Sequence, residues 1–175
     1  MIVIFLLLII TENPSSFVGK DWLEIRADLQ DQSPELPKLK LWGKSRKAFL
    51  YLLQGEDLVY GYACDVVGVP PLSCIAISHL IKRKKVNAIR YLLRHGKPVA
   101  KIYSVVALEY FRKLGYQFPK EDEEIIKSLF GKKFNVDTCN GCDYSYHYLV
   151  LSKREIEIGQ KNLSWLLKSG FSNFH

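Results

Sequence analysis

Apolar positions along the chain fall into short runs whose spacing alternates between strand-like and helix-like. Residues 2–10 are uninterrupted apolar sequence, rich in Ile, and read as a fully buried strand. Residues 11–16 form a turn, after which Phe17, Trp22, Ile25 and Leu29 recur at approximate helical spacing with charges between them. The stretch SPELPKLKLWGK carries two prolines and reads as a loop or a short broken helix. Residues 48–53 and 58–67 are strand-like, and Gln54-Gly55-Glu56-Asp57 between them supplies a hairpin turn. Pro70-Pro71 ends that run, and LSCIAISHLI (72–81) reads as a second apolar strand.

Helical spacing returns at Val86, Ile89, Leu92 and Leu93, with Gly96 where a C-terminal cap belongs. VAKIYSV (99–105) alternates as a strand does. Ala107, Tyr110, Phe111 and Leu114 then occupy one helical face, which Gly115 ends by taking a left-handed conformation. Tyr116 and Phe118 begin a strand that Pro119 cuts short. EDEEIIKSLFGKK (121–133) predicts a short helix with its acids at the favourable N-terminal end. YHYLVL (146–151) predicts a last strand, Ser152 and Glu155 have capping-box spacing, and an amphipathic segment with Leu163, Leu166 and Leu167 runs to about Gly170. The order predicts one α/β domain, a mixed central sheet flanked by helices, with a C-terminal helical extension over 154–175.

Composition narrows the class. The chain has 175 residues, 48% of them hydrophobic and 25% charged, enough for a core and unlike a disordered chain. The formal net charge of +7 favours phosphate-bearing partners. The apolar run at the N-terminus is far shorter than the roughly 20 residues of a membrane span. Four cysteines without a dense framework predict reduced thiols and a cytoplasmic setting.

The element order together with A-L-E-Y-F-R-K-L-G-Y (107–116) resembles the GCN5-related N-acetyltransferase family, over roughly residues 47–118 with a closing strand near 146–153. The resemblance implies transfer of an acyl group from acetyl-CoA or another acyl-CoA cosubstrate to an amine. It implies that the main chain at Ile77 contacts the thioester. It also implies that Lys82, Arg83, Lys84, Lys85, Val86 and Asn87 surround the pyrophosphate, where the family carries a glycine-rich loop. Lys85 and Asn87 stand at two glycine positions, and Ser104 stands where the family often has Asn. Phe111 stands at the position of the proton-donating Tyr, which leaves the adjacent Tyr110 as the candidate general acid. His79 is the candidate general base on the amine.

Other residues compete for chemistry. Cys139-Asn-Gly-Cys142 has half-zinc-site spacing with His147 nearby, yet Asn-Gly equally suits a plain tight turn, and no metal is expected. Asp65 and Glu56 are hairpin carboxylates. Lys82 to Lys85, with Arg90, Arg94 and Lys97, form a basic stripe in which Tyr91 and Tyr103 are interleaved. Such interleaving suits single-stranded nucleic acid. The alternative to an acyltransferase is therefore a non-catalytic binding module that uses this stripe for nucleic acid, or the C-terminal amphipathic segment for a protein partner. A homodimer fits either reading.

Overall fold

The computed structural model describes residues 39–64, 67–170 and 174; the expected strand at 2–10, the helix at 17–29 and Asp65 lie outside the described residues. Among the described residues the order is α1 (Gly43–Gln54), β1 (Val59–Tyr60), α2 (Leu72–Lys82), α3 (Val86–His95), α4 (Pro98–Lys113), α5 (Lys120–Leu129), β2 (Lys133–Asn140), β3 (Asp143–Val150) and α6 (Lys153–Ser169). The fold is α/β, with six helices and a small three-stranded mixed sheet among the described residues.

Helix α4 is the centre. Pro98 at its first turn presets the helical φ, and the last turn carries Arg112 and Lys113, which suit the negative end. Val99, Ala100, Ile102, Tyr103, Ser104, Val105, Val106, Ala107 and Leu108 are all buried, so the helix is covered nearly all round. It packs against α2, α3, α6 and β2. VAKIYSV, expected as a strand, is thus the first half of this helix. Val99, Tyr103 and Val105 mimic one face of a strand, but Ala100, Ile102 and Ser104 are buried too, and a short, mostly apolar run buried on every side carries no periodicity that separates the two states.

The same ambiguity corrects two more strands. Residues 48–53 belong to α1, whose Ala48, Phe49, Leu50, Tyr51 and Leu52 are buried. LSCIAISHLI is α2, which starts directly after Pro71 and buries eight of its residues, from Ser73 to Ile81 with Ile75 excepted. Among the described residues of 58–67 only Val59–Tyr60 forms a strand, and residues 116–119 form none. Helix α3 stands where the pattern placed it; α5 ends at Leu129, short of the expected Lys133, and β3 begins at Asp143, three residues before the expected strand. Helix α4 ends at Lys113, just before Gly115 at φ 89, so Leu114, expected on its apolar face, lies past the helix and is exposed. Ser152 accepts a hydrogen bond from the Glu155 amide at 3.1 Å, and Gly170 ends α6 with φ 86.

The sheet has the order β1-β2-β3. β1 runs parallel to β2, with Val59 opposite Asp137 and Tyr60 opposite Thr138. β2 and β3 form an antiparallel hairpin from Lys133 opposite Val150 to Asn140 opposite Asp143. Gly141, at φ 59, begins its two-residue turn, as a type II′ turn requires. Strand β2 was not among the expected elements, although Phe134, Val136 and Thr138 are buried in alternation with exposed Lys133, Asn135 and Asp137, a period-two pattern legible in the sequence. The expectation of four reduced thiols is also corrected. Cys64 and Cys139 pair as a disulfide with a Cα separation of 5.4 Å, whereas Cys74 and Cys142 are free.

Helix α5 is held to α3 by charge. Asp122, in the first turn of α5, is fully buried, and its two oxygens meet Arg90 and Arg94, one helical turn apart on α3. Removing one partner of such a group strands the other charges, at a cost of about 3 kcal/mol or more. Asp122→Ala is therefore expected to lower unfolding free energy by about 3 kcal/mol in urea titrations. A loss below about 1 kcal/mol would place the ion cluster among exposed pairs of little consequence.

Candidate nucleic-acid interface

Three helix ends meet at one corner of the fold. The hydroxyl of Ser45, in the first turn of α1, lies 3.2 Å from His79 Nε2 near the end of α2. Lys85 Nζ, at the start of α3, donates to the main-chain carbonyl of Lys40 at 3.4 Å. These contacts bring together the run K-L-W-G-K (40–44) and the run K-R-K-K (82–85), which are far apart in sequence. Trp42 is the N-cap of α1 and Lys85 that of α3; neither side chain caps its helix. The first-turn amides of both helices thus lack a side-chain acceptor at the cap.

The corner is strongly cationic. Lys40, Lys44, Lys82, Arg83 and Lys84 are exposed and Lys85 is half-buried. Among the described residues none of these six forms an ion pair. Trp42 stands among them with 77% of its surface exposed. The turn from α2 to α3 is tight: the Lys84 amide bonds Ile81 O and the Lys85 amide bonds Leu80 O, both at 2.9 Å. That closure puts Lys84 at φ 50, and Lys40 sits at φ 47. Left-handed backbone suits Gly and Asn and is costly for Lys.

The structure divides the basic stripe. Residues 82–85 remain at the surface, whereas Arg90 and Arg94 serve Asp122. Lys97 Nζ closes the C-terminus of α1, donating to Gln54 O at 3.2 Å and Gly55 O at 2.8 Å. Tyr91 is buried edge-on against Phe49, and Tyr103 is buried in the core, so neither offers a ring to a ligand. Trp42 and the Lys40 and Lys44 beside it take that part. Their signal in the sequence was a tryptophan between lysines in a run without an acid.

The residues expected to handle an acyl-CoA lie elsewhere in character. Ile77 is fully buried in the middle of α2, so its main chain is committed to the helix and has no free strand edge. Val86 opens α3, and Asn87, exposed beside it, accepts from Arg90 at 3.3 Å. His79 is buried on a helix, bonded to Ser45, and is not at a strand end. Tyr110 is half-buried in the last turn of α4, its ring 6.1 Å from that of Phe111. Glu56 is exposed in the turn after α1. Cys139 is tied to Cys64, while Cys142 is exposed in the hairpin turn. His147 bonds Ser145 Oγ at 2.9 Å and adjoins Thr138 at 3.3 Å.

A second polar cluster lies in the interior beside the sheet. The Tyr103 hydroxyl donates to Gly61 O at 2.6 Å and accepts from the Gly61 amide at 2.9 Å. The Tyr60 hydroxyl donates to Glu155 Oε1 at 2.7 Å and lies 3.3 Å from the Tyr62 hydroxyl. Burial holds Tyr60, Tyr62 and Tyr103 well above the ordinary phenol range, and nearby tyrosines or the Cys74 thiol add to it. Burial likewise pushes the Cys74 thiol up to about 12. These groups keep their protons in the folded chain, as suits a structural network.

The folded state therefore binds more protons than the unfolded state once pH passes the unfolded thiol and phenol values of about 8.5 and 10. Stability from these groups is complete below about pH 8.5 and falls as pH rises above it, by about 1.4 kcal/mol per pH unit for each group that has entered its window. Urea midpoints should be flat from about pH 7 to 8.5 and then decline, with phenolate absorbance from the buried tyrosines appearing only on unfolding. A midpoint unchanged to about pH 11 would show that they titrate normally in the fold.

Compared with known proteins, the chain matches no family model, no curated protein and no solved structure.

Proposed function

We propose that this chain is a non-catalytic single-stranded nucleic-acid-binding module whose contact surface is the corner of Trp42, Lys40, Lys44 and Lys82 to Lys85. One observation carries the reading. Among the described residues, the non-glycine positions in left-handed backbone are Lys40 and Lys84, and both belong to this corner. A left-handed non-glycine residue costs about 1–2 kcal/mol. Retaining lysine where glycine would relax the turn is consistent with a need for the side chain itself.

The chemistry is complementary in two ways. Cations without carboxylate partners neutralise phosphates and release their counterions. An exposed indole offers a base a stacking face, available only where bases are unpaired. The acyl-CoA reading draws on the helix-and-glycine ending at 107–115 and ranks second, because helix α2 leaves Ile77 no free main-chain edge. Acetyl-CoA is therefore the competing ligand in the test.

By fluorescence anisotropy, a labelled oligothymidylate should bind with a log–log salt slope near −3, as about four neutralised phosphates give on a single strand. Trp42→Ala should weaken binding about tenfold, within the range of one stacked base. Lys84→Gly should hold stability to within about 1 kcal/mol while weakening binding. Acetyl-CoA should leave the bound fraction unchanged beyond its contribution to ionic strength. Stoichiometric acetyl-CoA binding with no oligonucleotide binding at low salt would reverse the order of the two readings.

A further inference from the structure

Asn87, Arg90 and Arg94 fall on one face of α3. That face continues the cationic corner: Arg90 and Arg94 lie about 6 and 12 Å beyond Val86 along the helix axis. A strand held at the corner would find its next cations there. Asp122 already holds them. Its two oxygens meet Arg90 and Arg94, and it is fully buried while the arginines are half-buried. Arg90 also donates to Asn87 Oδ1, and Arg94 to the Arg90 carbonyl, both at 3.3 Å. Asp122 belongs to Glu121-Asp122-Glu123-Glu124, four consecutive acids in a chain of net charge +7. The cover on this part of the stripe is thus an acidic segment of the same chain.

The first turn of α5 is held lightly apart from Asp122. Residues 116–119 before it have no regular structure, and of these only Phe118 is half-buried, the rest being exposed. Gly115 at φ 89 and Gly131 at φ 73 flank the segment, and a few such positions suffice to absorb a pivot. The buried apolar residues of α5, Ile126 and Leu129, both lie in its second half. The pair of Glu123 with Arg112, at 3.4 Å, is 40% exposed on both sides and contributes little.

We propose that the first turn of α5 is an autoinhibitory latch. Asp122 stands in for a nucleic-acid phosphate on Arg90 and Arg94, and its release lengthens the binding track from the corner along α3. The inference rests on the nucleic-acid reading above. Closed, the chain offers a strand the corner alone. Open, it adds two guanidinium groups, each able to hold a phosphate through paired N–H donors. The coupling is reciprocal: the factor by which the open form binds a strand more tightly is the factor by which a bound strand favours opening.

Fluorescence anisotropy with an oligothymidylate of about 16 nucleotides, joined to amide hydrogen exchange, tests the latch. Asp122→Asn should steepen the log–log salt slope from about −3 to about −4.4, two further phosphates, and tighten binding about tenfold at about 0.1 M salt. Glu121→Gln removes the same charge from an exposed side chain that forms no ion pair among the described residues, and should leave the slope near −3. In the wild type, saturation with the strand at that salt should speed exchange of the α5 amides by about the same tenfold. If Asp122→Asn fails to fold, this exchange decides alone. A wild type that binds while Asp122→Asn leaves the slope unchanged overturns the latch and spares the corner. So do α5 amides no faster in the complex, or equal steepening by Glu121→Gln. Absence of binding by both wild type and Asp122→Asn at low salt overturns the latch and the nucleic-acid reading together.

Discussion

The hydroxyl of Tyr103 fixes the relation between the helices and the sheet. It lies in the buried middle of α4, yet satisfies both main-chain groups of Gly61 just after β1. A strand of two residues cannot bury its end unaided, since each unpaired main-chain group in the interior costs free energy. Gly61 itself is forced by crowding: a Cβ there would stand 2.5 Å from Cys139 O and 2.6 Å from its sulfur. The disulfide, the parallel pairing of β1 with β2 and the phenol bond therefore meet within a few residues. Tyr60 and Glu155 extend the anchorage to α6, and Gly159 on α6 lets that helix approach Tyr62 and Val106.

The cationic corner follows from the same packing. Helix α2 touches the sheet at its start, where Ser73 donates to Val59 O, and reaches the corner at its end, where His79 meets Ser45. The core that sets the position of α2 thereby sets the distance between the two lysine runs. Grouping these charges is unfavourable for the isolated chain, and left-handed backbone at Lys40 and Lys84 adds to that cost. Burial along α1, α2 and α4 offsets both. Consistent with this division, the arginines that serve stability meet a buried carboxylate, and among the described residues the cations at the corner meet none.

The cationic corner and strand β3 differ in chemistry. One carries charge and an exposed indole on helix termini. The other carries near-neutral phenols on a strand edge. A strand edge recognises through main-chain hydrogen bonds and selects by alternate side chains. A helix-end corner recognises through charge and the π face of a single ring.

The sequence by itself determined the elements whose polar and apolar residues separate cleanly. Val86 to His95 has one apolar face, 120–129 gathers its acids at the start, Ser152 and Glu155 mark a helix entry, and Gly115 and Gly170 mark exits. It determined the basic run at 82–85 as surface, because four consecutive cations do not bury. It did not determine α1, α2 or the first half of α4. Residues buried on every side show no period, and whether such a run coils or extends is decided by what surrounds it. The resemblance built on those runs as strands therefore lost the strand edge it needed at Ile77. Only the tertiary structure decided that Arg90, Arg94 and Lys97 are structural while Lys40, Trp42 and Lys44 join the surface run. Which cation meets a carboxylate and which meets water depends on contacts between residues distant along the chain, and no local pattern encodes those distances.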